Sequence, residues 1–288
     1  MTAAAIRSID HLRAAIAAAK GPGATVGLVP TMGALHAGHA RLIEAARAEC
    51  DVVVVSIFVN PLQFDRKDDL DAYPRTLDED LAICRRLGVD IVFTPEAAEM
   101  YPREPTCVVR VGRVAEHLCG RYRPGHFDGV ATVVLKLLEI VRPDRAYFGE
   151  KDRQQLAVIR DLVRDFNVPS AIVSIATVRE PDGLAMSSRN RRLTGGERSL
   201  ALVLYRALRE AERRVAAGGT DSEQIRAAAA SSIPPDPRLR LEYLEIVDPE
   251  DMQPVAEITS PVIVAGALWV GKIRLIDNVT AHPPHARL

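Results

Sequence analysis

With 37 basic and 38 acidic residues in 288, for a net charge of −1, the chain has no charge excess to drive wholesale binding to nucleic acid or to an acidic membrane, and neither is expected as a partner. At this length a core can form without disulfides or structural metal. The four cysteines, Cys50, Cys84, Cys107 and Cys119, make no CxxC pair, so buried thiols are expected in place of a zinc site or a disulfide framework.

The alanine-rich start, "MTAAAIRSIDHLRAAIAAAKGPG", is interrupted by Asp10, His11 and Arg13 and reads as an amphipathic helix, not a signal peptide. No segment approaches the ~20 apolar residues of a membrane span, so a soluble, cytoplasmic protein is expected. Apolar runs rich in valine and isoleucine then alternate with helical patterns. The runs are Thr25–Pro30, Val52–Asn60, Asp90–Pro95, Arg145–Glu150 and Ala171–Val178. The helical stretches are His39–Cys50, Thr76–Leu87, Gly129–Val141 and Gln154–Phe166. Continuously apolar strands separated by helices predict an α/β, doubly wound parallel sheet covered on both faces. The rhythm changes near Thr177–Arg179. Beyond it, helices are expected at Thr194–Ala217 and Ser222–Ala230, followed by closely spaced strands in "LEYLEIVD", "PVIVAGALWV" and "KIRLIDNV". Their short connections predict an antiparallel sheet in a smaller α+β domain. The expected domains are residues 1–177 and 178–288.

The stretch "PTMGALHAGH" places His36 and His39 directly after the first apolar run, at the start of a helix. Open parallel sheets bind ligands beyond the carboxyl ends of their strands. Gly33 and Gly38 permit close backbone approach, and a helix N-terminus favours anions. Three readings of the pair are weighed: core histidines, zinc ligands, or donors to phosphate. Zinc lacks a clustered third ligand, whereas HxGH between glycines, strand and helix resembles the signature of the nucleotidylyltransferase superfamily and of class I aminoacyl-tRNA synthetases. Neither a Walker lysine nor a GxGxxG spacing is present in this loop.

Four further blocks carry polar groups at strand ends or in loops. "SIFVNPLQF" brings Asn60 and Gln63, whose amides suit an uncharged hydroxyl or a carboxylate; the alternative is a simple Asn-Pro turn. In "GRYRPGHFDGV" the residues Arg121, Arg123 and His126 form a basic loop before an apolar helix. "GEKDRQQ" places Lys151 after a strand, where it can neutralise triphosphate charge, with Gln155 in the following helix. "DGLAMSSRN" supplies Ser187, Ser188 and Arg189, a set suited to phosphate oxygens. That block is similar to the KMSKS-type loop of the superfamily, but Ala185 stands where the synthetases' first lysine would be.

Taken together, "PTMGALHAGH", "SIFVNPLQF", "RPGHFDGV", "RPDRAYFGEKDRQQ" and "VREPDGLAMSSRNRRL" resemble the pantoate–β-alanine ligase family in order and spacing. The resemblance implies a Rossmann-like sheet domain over residues 1–177 that binds ATP and pantoate, and a smaller lid domain over 178–288. It implies condensation of pantoate with β-alanine through a pantoyl adenylate, with AMP and pyrophosphate released. ATP would be contacted by Met32, Gly33, Ala34, Leu35, His36, Ala37, Gly38 and His39. Further nucleotide contacts would come from Gly149, Glu150, Lys151 and Asp152, the last on ribose, from Val178 through its backbone to adenine, and from Met186, Ser187, Ser188 and Arg189 over the triphosphate. His39, His36 and Lys151 would be catalytic. Gln63 and Gln155 would hold pantoate, Gln63 also lying near β-alanine, with Asn60 supporting that pocket and Arg123 helping to close it. Mg²⁺ would accompany ATP. Glu79 and Asp80 occupy the places of an acidic pair found in some members, and they read equally well as a solvated helix face, which leaves the metal ligands undefined. A homodimer is a family feature.

Overall fold

In the computed structural model, which describes residues 5–284, the valine- and isoleucine-rich runs become the inner strands of a parallel sheet. The chain divides into two units. The first contains residues up to Val111, Arg123–Glu150 and Val158–Ala176. Its strands β1 (Ala5–Ile6), β2 (Val26–Thr31), β3 (Val52–Ile57), β4 (Ile91–Phe93), β5 (Arg145–Gly149) and β6 (Ala171–Ile175) stand in the order β1-β4-β3-β2-β5-β6. Every pairing is parallel. All four valines Val52–Val55 are buried, as a strand covered on both faces requires. One layer of this core joins Val29, Leu35, Ile43, Val53, Val55, Val92 and Tyr147. The two-residue β1 is too short to show any alternation and leaves no strand signal in the sequence. The helix expected at the N-terminus spans Ile9–Ala19; residues 1–4 of that stretch lie outside the described residues.

The order of the sheet reverses at β2, which has β3 on one side and β5 on the other. β2 follows β3 from Val26↔Val52 to Thr31↔Ile57 but meets β5 only at Gly27↔Arg145 and Leu28↔Ala146. The exits of β2 and β5 therefore flank a topological switch point, where such sheets bind ligands. The helix expected from Gly129 starts earlier and runs His126–Val141, after Gly125 in the left-handed region (φ 77°).

The second unit contains Gly112–Tyr122, Lys151–Ala157 and the residues from Thr177 onward. Its strands β7 (Leu239–Val247), β8 (Val262–Val270) and β9 (Ile273–Ala281) form the expected antiparallel sheet. The helix Gly195–Ala216 begins with a capping box between Thr194 and Glu197. It buries Leu204, Leu208 and Ala211 in one cluster with Val264 and Leu268 of β8. The main division falls at Ala176/Thr177, but two earlier segments also belong here. Gln154 Nε2 donates to the carbonyls of Val114 (2.9 Å) and His117 (2.8 Å), and Asn278 Nδ2 donates to the Lys151 carbonyl (2.9 Å). Cys119 Sγ lies 3.2 Å from the Tyr243 hydroxyl. Of the cysteines expected to be buried, Cys50, Cys84 and Cys119 are, whereas Cys107 is exposed, because it lies in an irregular segment of mostly exposed residues.

Gly129 tests how the first unit is packed. A Cβ at this position would lie 2.2 Å from the Leu62 carbonyl oxygen and 2.7 Å from Gln63 N, backbone atoms with no rotamer to change. Gly129→Ala is expected to lower stability by about 1–3 kcal/mol, as overpacking does, measured by denaturant unfolding.

Candidate active site

The chain leaves β2 through a turn that few sequences can make. Gly33 (φ 81°) and Ala34 (φ 51°) both adopt left-handed backbone, unfavourable by about 1–2 kcal/mol for a residue with a Cβ. Asp80 holds it. From the helix Leu77–Arg86 this carboxylate, 1% exposed, accepts the N–H of Leu35 at 2.7 Å and of Ala34 at 3.0 Å. The Thr76 hydroxyl adds contacts of 3.3 Å. Thr31 Oγ1 accepts the Gly33 N–H (3.2 Å) while donating to the Ser56 carbonyl of β3 (2.8 Å). The loop is thus tied to two neighbouring elements before it reaches the histidines.

The helix Ala37–Glu49 then starts with imidazoles in the part usually played by a hydroxyl and a carboxylate. Gly38 N–H donates to His36 Nδ1 at 3.1 Å, and His36 N–H donates to His39 Nδ1 at 3.3 Å. The rings lie 4.1 Å apart, tilted by 40°. A nitrogen that accepts a hydrogen bond carries no proton, so in each neutral ring the proton resides on Nε2. Capping therefore makes both residues Nε2–H donors.

The sequence leaves the metal ligands open, with Glu79 and Asp80 as the candidates. Both oxygens of Asp80 accept backbone N–H groups. The buried carboxylate is an anchor for the backbone of this loop. No cluster of three or more His, Cys, Asp or Glu suited to a metal occurs among the described residues. One turn on, burial and the charge of Asp80 push the Cys84 thiol up to about 11, so it stays protonated at neutral pH.

After β3 the chain turns at Asn60 into a short 3₁₀ segment, Pro61–Gln63. Asn60 is 1% exposed and Gln63 is 9% exposed. Asn60 Nδ2 donates to Gln63 Oε1 and to the Gly129 carbonyl, both at 3.1 Å. Gln63 Nε2 faces Met32 Sδ at 3.0 Å, so three residues singled out in the sequence are brought together. Arg123 clasps the same turn: it donates to Asp65 (2.9 Å) and to the Gln63 carbonyl (3.1 Å) and lies 3.2 Å from His126 Nε2. His126 Nδ1 is 2.7 Å from the same Gln63 carbonyl. Arg123, expected to help close the pocket, here positions the turn that carries Gln63. Burial raises the pKa of Asp65, but the bond and charge of Arg123 outweigh it and hold the carboxyl below its ordinary value. Tyr101, which sequence reasoning missed, donates to Asn60 Oδ1 at 2.9 Å.

Gly149 ends β5, and Glu150–Asp152 forms a 3₁₀ turn; the division between the units falls after Glu150. In the second unit Lys151 Nζ lies 3.4 Å from Asp152 Oδ1, and Gln155 is half-buried in the first turn of the helix Arg153–Asp165. Val178 accepts the Met186 N–H through its carbonyl (2.9 Å). Between them a narrow hairpin is pinned by Arg179, which makes bonds of 2.7 and 3.0 Å to Asp277. Burial pushes the Asp277 carboxyl up against the opposing pull of that guanidinium. Ser187 Oγ accepts the Arg189 N–H (3.3 Å), and Ser188 is buried. Arg179 and Asp277 lie 98 residues apart, so nothing in the hairpin's own sequence points to its anchor.

A family model described as pantoate–β-alanine ligase matches residues 4–280. A bifunctional pantoate ligase/cytidylate kinase of Synechococcus elongatus is 57% identical over 259 residues, covering 89% of this chain and 49% of that protein. The chain thus spans about half the length of the bifunctional relatives it matches. The crystal structure of a pantothenate synthetase from Thermus thermophilus aligns with a TM-score of 0.89 at 44% identity, covering 97% of this chain and 99% of that one. A pantoate–β-alanine ligase from Francisella tularensis, complexed with β-γ ATP and β-alanine, aligns with a TM-score of 0.80 at 36% identity, covering 96% and 97%.

Two outcomes test the geometry of the first unit. Asp80→Ala strands the N–H groups of Ala34 and Leu35, each at a cost of about 1–3 kcal/mol, and chemical unfolding should show the loss. Asp65, with its pKa held low, stabilises the fold above its ordinary value of 3.8, and that stabilisation is lost as pH falls through the folded-state value. Asp65→Asn should therefore lose less stability than the parent on acidification below pH 3.8, read from unfolding curves at a series of pH values.

Proposed function

Because the chain belongs to the pantoate–β-alanine ligase family, we propose that it condenses (R)-pantoate with β-alanine using ATP. The carboxylate oxygen of pantoate attacks the α-phosphorus and pyrophosphate departs, leaving a pantoyl adenylate. The neutral amine of β-alanine then attacks the acyl carbon, AMP leaves, and the amine proton passes to solvent. The observation that carries this reading is the pair of imidazoles held as Nε2–H donors at the exit of β2.

Charge grows on the α-phosphate oxygens as pantoate attacks. Donors already aimed there stabilise the transition state without reorganising. His39 and His36 fill that role, and Lys151 balances charge on the departing pyrophosphate. Gln63 and Gln155 orient pantoate so that its carboxylate meets the phosphorus, a gain in proximity. Gly149, Glu150, Asp152 and the Val178 backbone receive the nucleoside, and Met186, Ser187, Ser188 and Arg189 receive the triphosphate. Mg²⁺ enters with ATP as part of the substrate. A cytoplasmic homodimer completes the reading. No described helix is long and apolar enough to cross a membrane.

Two measurements test it. ATP–pyrophosphate exchange should require pantoate, and AMP release should require β-alanine as well; active, folded protein with no pantoate-dependent exchange would sink the reading. His39→Ala should slow single-turnover adenylation by ~10²-fold or more, the loss seen when one such donor is removed.

A further inference from the structure

We propose that Tyr101 is a positioning residue for substrate selection. With Asn60 it locks the Gln63 amide so that only the N–H side faces the acid substrate. The inference rests on the reading of Gln63 as a pantoate ligand. It predicts that the substrate group meeting Gln63 is one that receives hydrogen bonds, a carboxylate or alcohol oxygen.

The two ends of an amide have nearly the same shape, so its orientation must come from partners whose polarity is fixed. The Gly129 carbonyl can only accept, and it lies 3.1 Å from one end of the Asn60 amide, which is therefore Nδ2. The Leu62 N–H can only donate, and it lies 3.4 Å from the other end, Oδ1. The Tyr101 hydroxyl, 2.9 Å from that oxygen, must donate to it. The second Nδ2 hydrogen reaches Gln63 at 3.1 Å, so the atom it meets is Oε1. Nε2 is then turned toward Met32 Sδ, 3.0 Å away. A thioether is a weak acceptor, and a substrate oxygen improves on it.

Tyr101 supplies the short bond in this chain, since the Leu62 contact to the same oxygen is half an ångström longer. Its ring is held by Phe58, with centroids 6.1 Å apart, and by the Lys136 ammonium 5.9 Å above it. Burial pushes its hydroxyl up to about 12, so it remains a donor at neutral pH. Deleting the hydroxyl leaves Asn60 Oδ1 with only its long Leu62 contact beside the Gly129 bond of the other end, and so loosens the Asn60–Gln63 pair.

Tyr101→Phe tests this. The KM for pantoate should rise about fivefold, equivalent to about 1 kcal/mol, while kcat and the KM for ATP change less than twofold. A purely structural role would lower the active fraction without splitting the two substrates. A second readout needs no turnover: hydrogen exchange of the Asn60 side-chain amide in the substrate-free protein, followed by NMR. Those hydrogens should exchange at least tenfold more slowly than exposed asparagine amides, and faster in Tyr101→Phe. Exchange at the exposed rate in the parent, or an Asn60 signal or pantoate KM unaltered by Tyr101→Phe, overturns the proposal. If the parent lacks pantoate-dependent ATP–pyrophosphate exchange, the ligase reading fails, and the Asn60 signals still decide whether the lock exists.

Discussion

The N–H groups at the start of a helix need acceptors, and in the helix Ala37–Glu49 those acceptors are ring nitrogens. Local capping thereby selects the tautomer of two side chains. Ser or Asp in these places would satisfy the backbone equally well and leave no N–H to direct elsewhere. Helix formation and donor placement are one event in this loop. Asp80, together with Thr31, fixes the preceding turn, where Ala34 occupies backbone space that its Cβ makes unfavourable.

A related logic governs the amides. Asn60 and Gln63 have no intrinsic direction, and they acquire one from a carbonyl and an N–H of the main chain. Polarity passes from backbone to Asn60 and then to Gln63. Arg123 and His126 hold the Gln63 carbonyl from outside the turn. Arg123 also holds Asp65 beside that turn.

The inner strands and the histidine loop are legible in the sequence because their signals are local. Four consecutive valines, or an HxGH between glycines, sit within one short window. Asp80 and Tyr101 are not legible in that way. Asp80 meets Leu35 across 45 residues and Tyr101 meets Asn60 across 41, and within its own window each looks like a helix-face acid or a loop aromatic. The second unit shows the same limit. The change of rhythm near Thr177 is visible, but residues 112–122 and 151–157 join that unit through Gln154, Asn278 and Cys119, single contacts that leave no periodic trace. Positive φ at Ala34 is equally hidden, since alanine carries no turn signal.

The Gln63 carbonyl has one more consequence. It receives both Arg123 and His126, and Gly129 one turn later receives Asn60. Bonds thus run in both directions between the turn after β3 and the first turn of the helix His126–Val141. Either segment can open only by breaking bonds to the other, which couples their local opening.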